Sequence, residues 1–160
     1  MLPVAYSKIA QRKFSDRQRA RIEEVYTHYP ELHDKVIFCG AISGRGSIQG
    51  IATSWPTPPV FRLRPQASYY TIAHELTHLV QGPLSGIPHG EVACDMWTVD
   101  RMPAVYLDQP PYYLLGNMIV DWPSKKNQIK DLCRQAIDLR STMHAYIVWL
   151  KNSVRRHCTR

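Results

Sequence analysis

Apolar and polar positions along the chain fall into segments of helical and strand period. Between Ser15 and Tyr29, the residues Ile22, Val25, Tyr26 and Tyr29 share one helical face. Ser15 and Gln18 have the spacing of a capping box, and Pro30 ends the run. Three stretches then read as strands: Val36–Ile42, Gly50–Ser54 and Val60–Arg64. The glycine-rich turn Ser43-Gly44-Arg45-Gly46-Ser47 and the connection Pro56-Thr57-Pro58-Pro59 separate them. Val60-Phe61-Arg62-Leu63-Arg64 alternates apolar and basic residues, the pattern of a half-exposed strand. Such a strand is either the solvent-facing rim of a sheet or an edge able to pair with an extended peptide. Helical period returns over Ser68–Gln81, stopped by Gly82-Pro83, and over Gly90–Arg101. Met102–Pro123 holds four prolines and reads as loop or extended wall. Ser124 then caps a single long helix to His157, with Ile129, Leu132, Ala136, Met143, Ile147, Leu150 and Val154 as its core stripe. The expected class is α+β, a small mixed sheet over a central helix with further helices beside it.

Composition narrows the setting. The 160 residues suit one domain over 1–160, large enough for a core without disulfide staples. Residues 1–13 and 153–160 are left as terminal segments, either frayed or lying across a cleft as inhibitory arms. No stretch approaches the roughly 18 apolar residues that cross a bilayer, so no membrane partner is expected. Met1–Lys13 has no apolar core followed by a cleavage site, so a secretory signal is not expected. Cys39, Cys94, Cys133 and Cys158 are far apart and read as free thiols of a reducing compartment, which points to the cytoplasm. The net charge of +7 comes from dispersed basic residues, densest at Arg12–Arg21, Lys125–Lys130 and Lys151–Arg160. Without recognition-helix spacing they read as solvated helix faces, and nucleic acid is the lesser reading.

The chemistry concentrates in Tyr70-Thr71-Ile72-Ala73-His74-Glu75-Leu76-Thr77-His78-Leu79-Val80. His74 and His78 lie about one helical turn apart, so both imidazoles share a face and can grip one cation. Glu75 is rotated by roughly 100° from His74, beside the ion, where a general base takes a proton from water. An amphipathic helix with two hydrogen-bonded histidines is the plainer alternative. A third protein ligand is needed. Glu91 is the first choice and His89 the main competitor, with Asp95 third. Glu91 and Asp95 again share a helical face, which places Asp95 one shell out, accepting a hydrogen bond from His74. Tyr106, Tyr112, Tyr113, His89 and His144 have the chemistry to stabilise an oxyanion. This set of side chains predicts a peptidase with one catalytic Zn2+, acting on a peptide or protein substrate.

The HELTH segment followed by ExxxD resembles the gluzincin clan of metallopeptidases, and the small size is most similar to the archaeal minigluzincins. The resemblance covers about Tyr69 to Arg101. It implies a zincin-like, thermolysin-like core in which His74, His78 and Glu91 bind zinc, Glu75 is the base and Asp95 orients His74. It also implies that a terminal segment can hold the site latent. The interval from His78 to Glu91 is shorter than in larger gluzincins. Pro88-His89-Gly90 is similar to the SprT-like peptidases, which implies a DNA-associated enzyme with His89 as third ligand. A zinc-binding regulatory module without proteolysis is the further alternative.

Overall fold

A computed structural model describes residues 4–43, 46–53, 58–82 and 85–159. The expected turn, connection and helix stop fall partly at 44–45, 54–57 and 83–84, outside the described residues.

The chain begins with strand β1 (Ala5–Tyr6) and helix α1 (Lys8–Lys13), whose cap Ser7 accepts a hydrogen bond from the Ala10 N–H. Helix α2 (Asp16–Tyr26) is capped by Ser15, which accepts from the Gln18 N–H at 3.2 Å. A 3-10 turn at Pro30–Leu32 then leads to strands β2 (Phe38–Ala41), β3 (Gly50–Thr53) and β4 (Val60–Leu63). The four strands stand in the order β1-β2-β4-β3, with β3 antiparallel to β4 and the other pairings parallel. Cys39, Phe61 and Leu63 point into the core while Phe38 and Arg62 face out, so one sheet face is covered. β4 is paired on both sides, which removes the edge-strand alternative for it: the edges are β1 and β3.

Helix α3 (Tyr69–Val80) is the axis of the fold. Every residue from Tyr70 to Thr77 is buried, because the sheet, α2 and the next helix, α4 (Glu91–Arg101), surround it. Its first turn is held twice. Ser68 accepts from the Thr71 N–H, and the distant Asp108 accepts from the N–H groups of Tyr69 and Tyr70. Deep in the core, the Tyr29 hydroxyl lies 2.6 Å from the Ala73 carbonyl and 2.8 Å from Thr77 Oγ1, which also accepts from Thr98. Those bonds fix α3 against the segment that follows α2 and against α4, in rotation as well as position.

The expected wall at Met102–Pro123 contains a 3-10 turn (Ala104–Tyr106) and a short helix α5 (Tyr112–Leu115). The long terminal helix is in fact two, α6 (Trp122–Leu139) and α7 (Tyr146–Cys158), packed on each other. An unbroken helix over the expected span would run roughly 50 Å, more than a domain this size can cover. The hydroxyls of Ser141 and Thr142 donate to the carbonyls of Asp138 and Leu139, offering the backbone a way out of the helix. Within the two terminal segments, the described residues include Ala5–Tyr6 of β1, paired with β2, and Thr159, which bridges to Val120. Cys39, Cys94, Cys133 and Cys158 are all free and buried. Among the described residues no helix is long and apolar enough to cross a membrane.

Candidate metal centre

Two neighbouring helices supply the site. α3 presents His74 and His78 one turn apart, and α4 opens with Glu91. His74 Nε2 and His78 Nε2 are 3.1 Å apart, and Glu91 Oε2 lies 3.1 Å from the first and 3.2 Å from the second. The imidazole rings stand nearly perpendicular, at 87°. Three donor atoms thus form an almost equilateral triangle. Zinc bonds of 2.0–2.1 Å in a tetrahedral shell place neighbouring ligand atoms roughly 3.3–3.4 Å apart, so the triangle fits one face of such a shell.

The far sides of both imidazoles also meet oxygen. Asp95, fully buried, sets Oδ1 2.9 Å from His74 Nδ1, although the contact is bent and leaves that nitrogen without a well-formed hydrogen bond. Asp95 is itself pinned by the Tyr70 hydroxyl at 2.5 Å and by the Leu114 N–H at 2.8 Å. Burial would push the His74 imidazole downward, but the neighbouring Asp95, Glu75 and Glu91 carboxylates outweigh it and raise its pKa. His78 Nδ1 faces Gln81 Oε1 at 2.6 Å.

Glu75 lies next to this triangle in sequence but turns toward the sheet. Its carboxyl packs against Gly50 of β3: a Cβ built there would stand 2.5 Å from Glu75 Cγ and 2.7 Å from Cδ. Only glycine leaves room. Glu75 Oε2 is buried without a partner, and burial holds the carboxyl pKa up to about 7, with Glu91 adding to the rise and His74 opposing it.

Cys94 also reaches this region. His74, His78 and Cys94 present ligand atoms all within 4.8 Å of one another, a group able to hold a metal ion. The Cys94 thiol donates to the His74 carbonyl at 3.2 Å, on the backbone side of that residue, and burial raises its pKa well above the usual thiol range. Glu91 Oε2 approaches the two imidazoles to 3.1 and 3.2 Å.

Other expected residues scatter. His89 is exposed, and among the described residues it has no hydrogen bond or ion pair to His74 or His78. Tyr106 is engaged elsewhere, donating to Glu24 at 2.6 Å. Tyr112 and His144 are exposed. Tyr113 alone of the oxyanion candidates touches the site, its ring stacked on His74 at 6.0 Å and 20°. Sequence reasoning missed Gln81, Gly50 and Tyr70. The glycine opening a strand just after a turn was the one visible signal. A concavity of about 230 Å3 at the C-terminal end of α3, lined by Leu79, Val80 and Gln81 among others, includes none of the three converging groups.

No family model matches the chain, and neither a curated protein nor a solved structure is significantly similar to it.

Proposed function

We propose that the chain is a zinc-dependent peptidase of gluzincin type, with His74, His78 and Glu91 as ligands and Glu75 as general base. One observation carries this reading: two imidazole nitrogens and a carboxylate oxygen converge within 3.1–3.2 Å of one another. Such spacing also suits hydrogen bonds. A hydrogen-bonded trio, however, needs a proton on at least one Nε2 while both Nδ1 atoms face oxygen acceptors. A cation joins the same three atoms with both Nε2 lone pairs free, which leaves each Nδ1 to carry the ring proton toward its oxygen neighbour. The nitrogen-and-carboxylate set suits zinc.

Zinc held there supplies Lewis-acid polarisation of a carbonyl and acidifies water. The chain does the rest. Glu75, which follows His74 on α3, accepts a proton from the attacking water and returns it to the departing amine nitrogen. Gly50 keeps that carboxyl in place from the sheet side. Asp95 faces His74 from behind and, through Tyr70 and the Leu114 N–H, is prevented from swinging away. The zincin-like architecture rests on the same features: a mixed sheet whose antiparallel edge strand, β3, packs on the helix carrying the two histidines.

Glu75→Gln tests the chemistry. The variant keeps one zinc per chain and loses peptide hydrolysis by ~100-fold or more, the usual scale for a general base. Cleavage at the wild-type rate would remove Glu75 from the mechanism. A second reading, favoured by the His74–His78–Cys94 grouping, makes Cys94 the third ligand. Cys94→Ser separates the two, since loss of zinc in that variant supports thiolate ligation.

A further inference from the structure

Gln81 ends α3 and has a side chain joined to three partners. Its Nε2 donates to the carbonyls of Pro88 at 2.7 Å and Gly90 at 3.0 Å, and its Oε1 lies 2.6 Å from His78 Nδ1. We infer that Gln81 is a positioning residue that sets the tautomer of His78 and anchors the segment delivering Glu91, a deepening that rests on the metal-site reading above.

Donors and acceptors fix the orientation of the Gln81 amide. A primary amide has one donating end and one accepting end, and the partners of each end decide which way it faces. Carbonyl oxygens of Pro88 and Gly90 can only accept, so the amide nitrogen must face them. The oxygen is thereby turned to His78. An accepting oxygen requires a hydrogen on Nδ1, and a neutral imidazole carries just one. His78 Nε2 therefore keeps a lone pair, and Nε2 is the atom facing His74 and Glu91. Two backbone carbonyls thus dictate, through one amide, which nitrogen of His78 is free to coordinate.

The same side chain acts on the third ligand. Gly90 immediately precedes Glu91, adopts φ +103°, and opens α4 without a side-chain cap. Glycine is the residue that tolerates this backbone, and it leaves the helix entry free to pivot. The Gln81 bond to the Gly90 carbonyl removes that freedom. A backbone bridge between Gly82 and Ile87 closes the same loop from the other side. Coupling the end of α3 to the start of α4 keeps Glu91 within reach of both imidazoles.

Three full-length proteins test this: wild type, Gln81→Met and Gln81→Glu. Met matches the length and removes donor and acceptor, while Glu retains an acceptor for His78 and lacks the amide donors. Two readouts are taken. Zinc affinity comes from competition with a chromophoric chelator, and the His78 tautomer comes from ¹⁵N shifts of metal-free protein at mildly alkaline pH. Gln81→Met should bind zinc ~10–100-fold more weakly, and its His78 should pass from the Nδ1–H form to a mixture. Gln81→Glu should keep the Nδ1–H form and recover part of the affinity, a rescue that mere loop closure does not give. Wild-type His78 in the Nε2–H form, or Gln81→Met affinity within twofold of wild type, overturns the inference. Wild type that holds no zinc overturns the metal reading instead, while the tautomer measurement still decides whether Gln81 governs His78. Should Gln81→Met fail to fold, the wild-type tautomer and the Gln81→Glu pair decide.

Discussion

Glu75 combines a functional poise with a stability cost. Its carboxyl is buried against Gly50 and its pKa rises from 4.5 to about 7, chiefly through burial. A folded value above the unfolded one means the native state holds the proton more tightly between those two pH values. The associated stability is full below about 4.5 and is lost as pH rises through about 7. Every tenfold gain in proton affinity on folding corresponds to ~1.4 kcal/mol, so the ionised carboxylate costs on the order of 1–3 kcal/mol. Urea denaturation of chelator-treated protein should therefore find Glu75→Gln more stable than wild type by that order above neutrality. The advantage should vanish in acid; equal stability at both pH values would contradict the assigned burial cost. At this scale, much of the site was legible. His74 with His78, and Glu91 with Asp95, are four positions apart, and helical period alone puts each pair on one face. Gln81 and Tyr70 were not legible, because their partners come from a closed loop and a second helix.

At the scale of elements, the encounter of β3 with α3 has the sharpest consequence. Gly50 admits the Glu75 side chain at a distance no Cβ tolerates, and the three converging donors lie on α3 and α4. Gly50→Ala should thus displace the base while leaving the metal: hydrolysis falls by ~10–100-fold at unchanged zinc content. Steady-state kinetics with elemental analysis on the same sample checks this, and joint loss of zinc and activity would place Gly50 among the supports of the metal instead. The cap at Ser15 was readable, since its hydroxyl accepts from the Gln18 N–H three residues on, whereas Ser124, expected as a cap, lies inside α6, which begins at Trp122 after Asp121. β1 and α1 escaped notice because two and six residues are too short for periodicity to register. The break between α6 and α7 escaped for the opposite reason: their apolar stripes run on in register, and only side-chain hydroxyls at Ser141 and Thr142 mark the stop.

For the molecule as a whole, the α+β class was legible from the order of strand-like and helix-like segments. The strand order β1-β2-β4-β3 was not, because it seats sequence neighbours β2 and β3 on opposite sides of β4. Alternation in β4 records which face is buried and says nothing of what lies beside it. The converging donors come from two helices that also clasp the core through Thr77 and Thr98, so an ion bound there ties native elements together. Ligands that bind only the folded state stabilise it, by ~2.7 kcal/mol at a hundredfold excess over Kd. Removal of metal by chelation should lower Tm by roughly 5–10 °C, recovered on adding zinc; a Tm indifferent to both would separate the site from the fold. The most direct test counts ions: zinc per chain, by elemental analysis after loading and desalting, in wild type, Glu91→Ala and Cys94→Ser. One ion in wild type and in Cys94→Ser, with loss in Glu91→Ala, is the result expected. No zinc in wild type, or loss in Cys94→Ser with retention in Glu91→Ala, would contradict it.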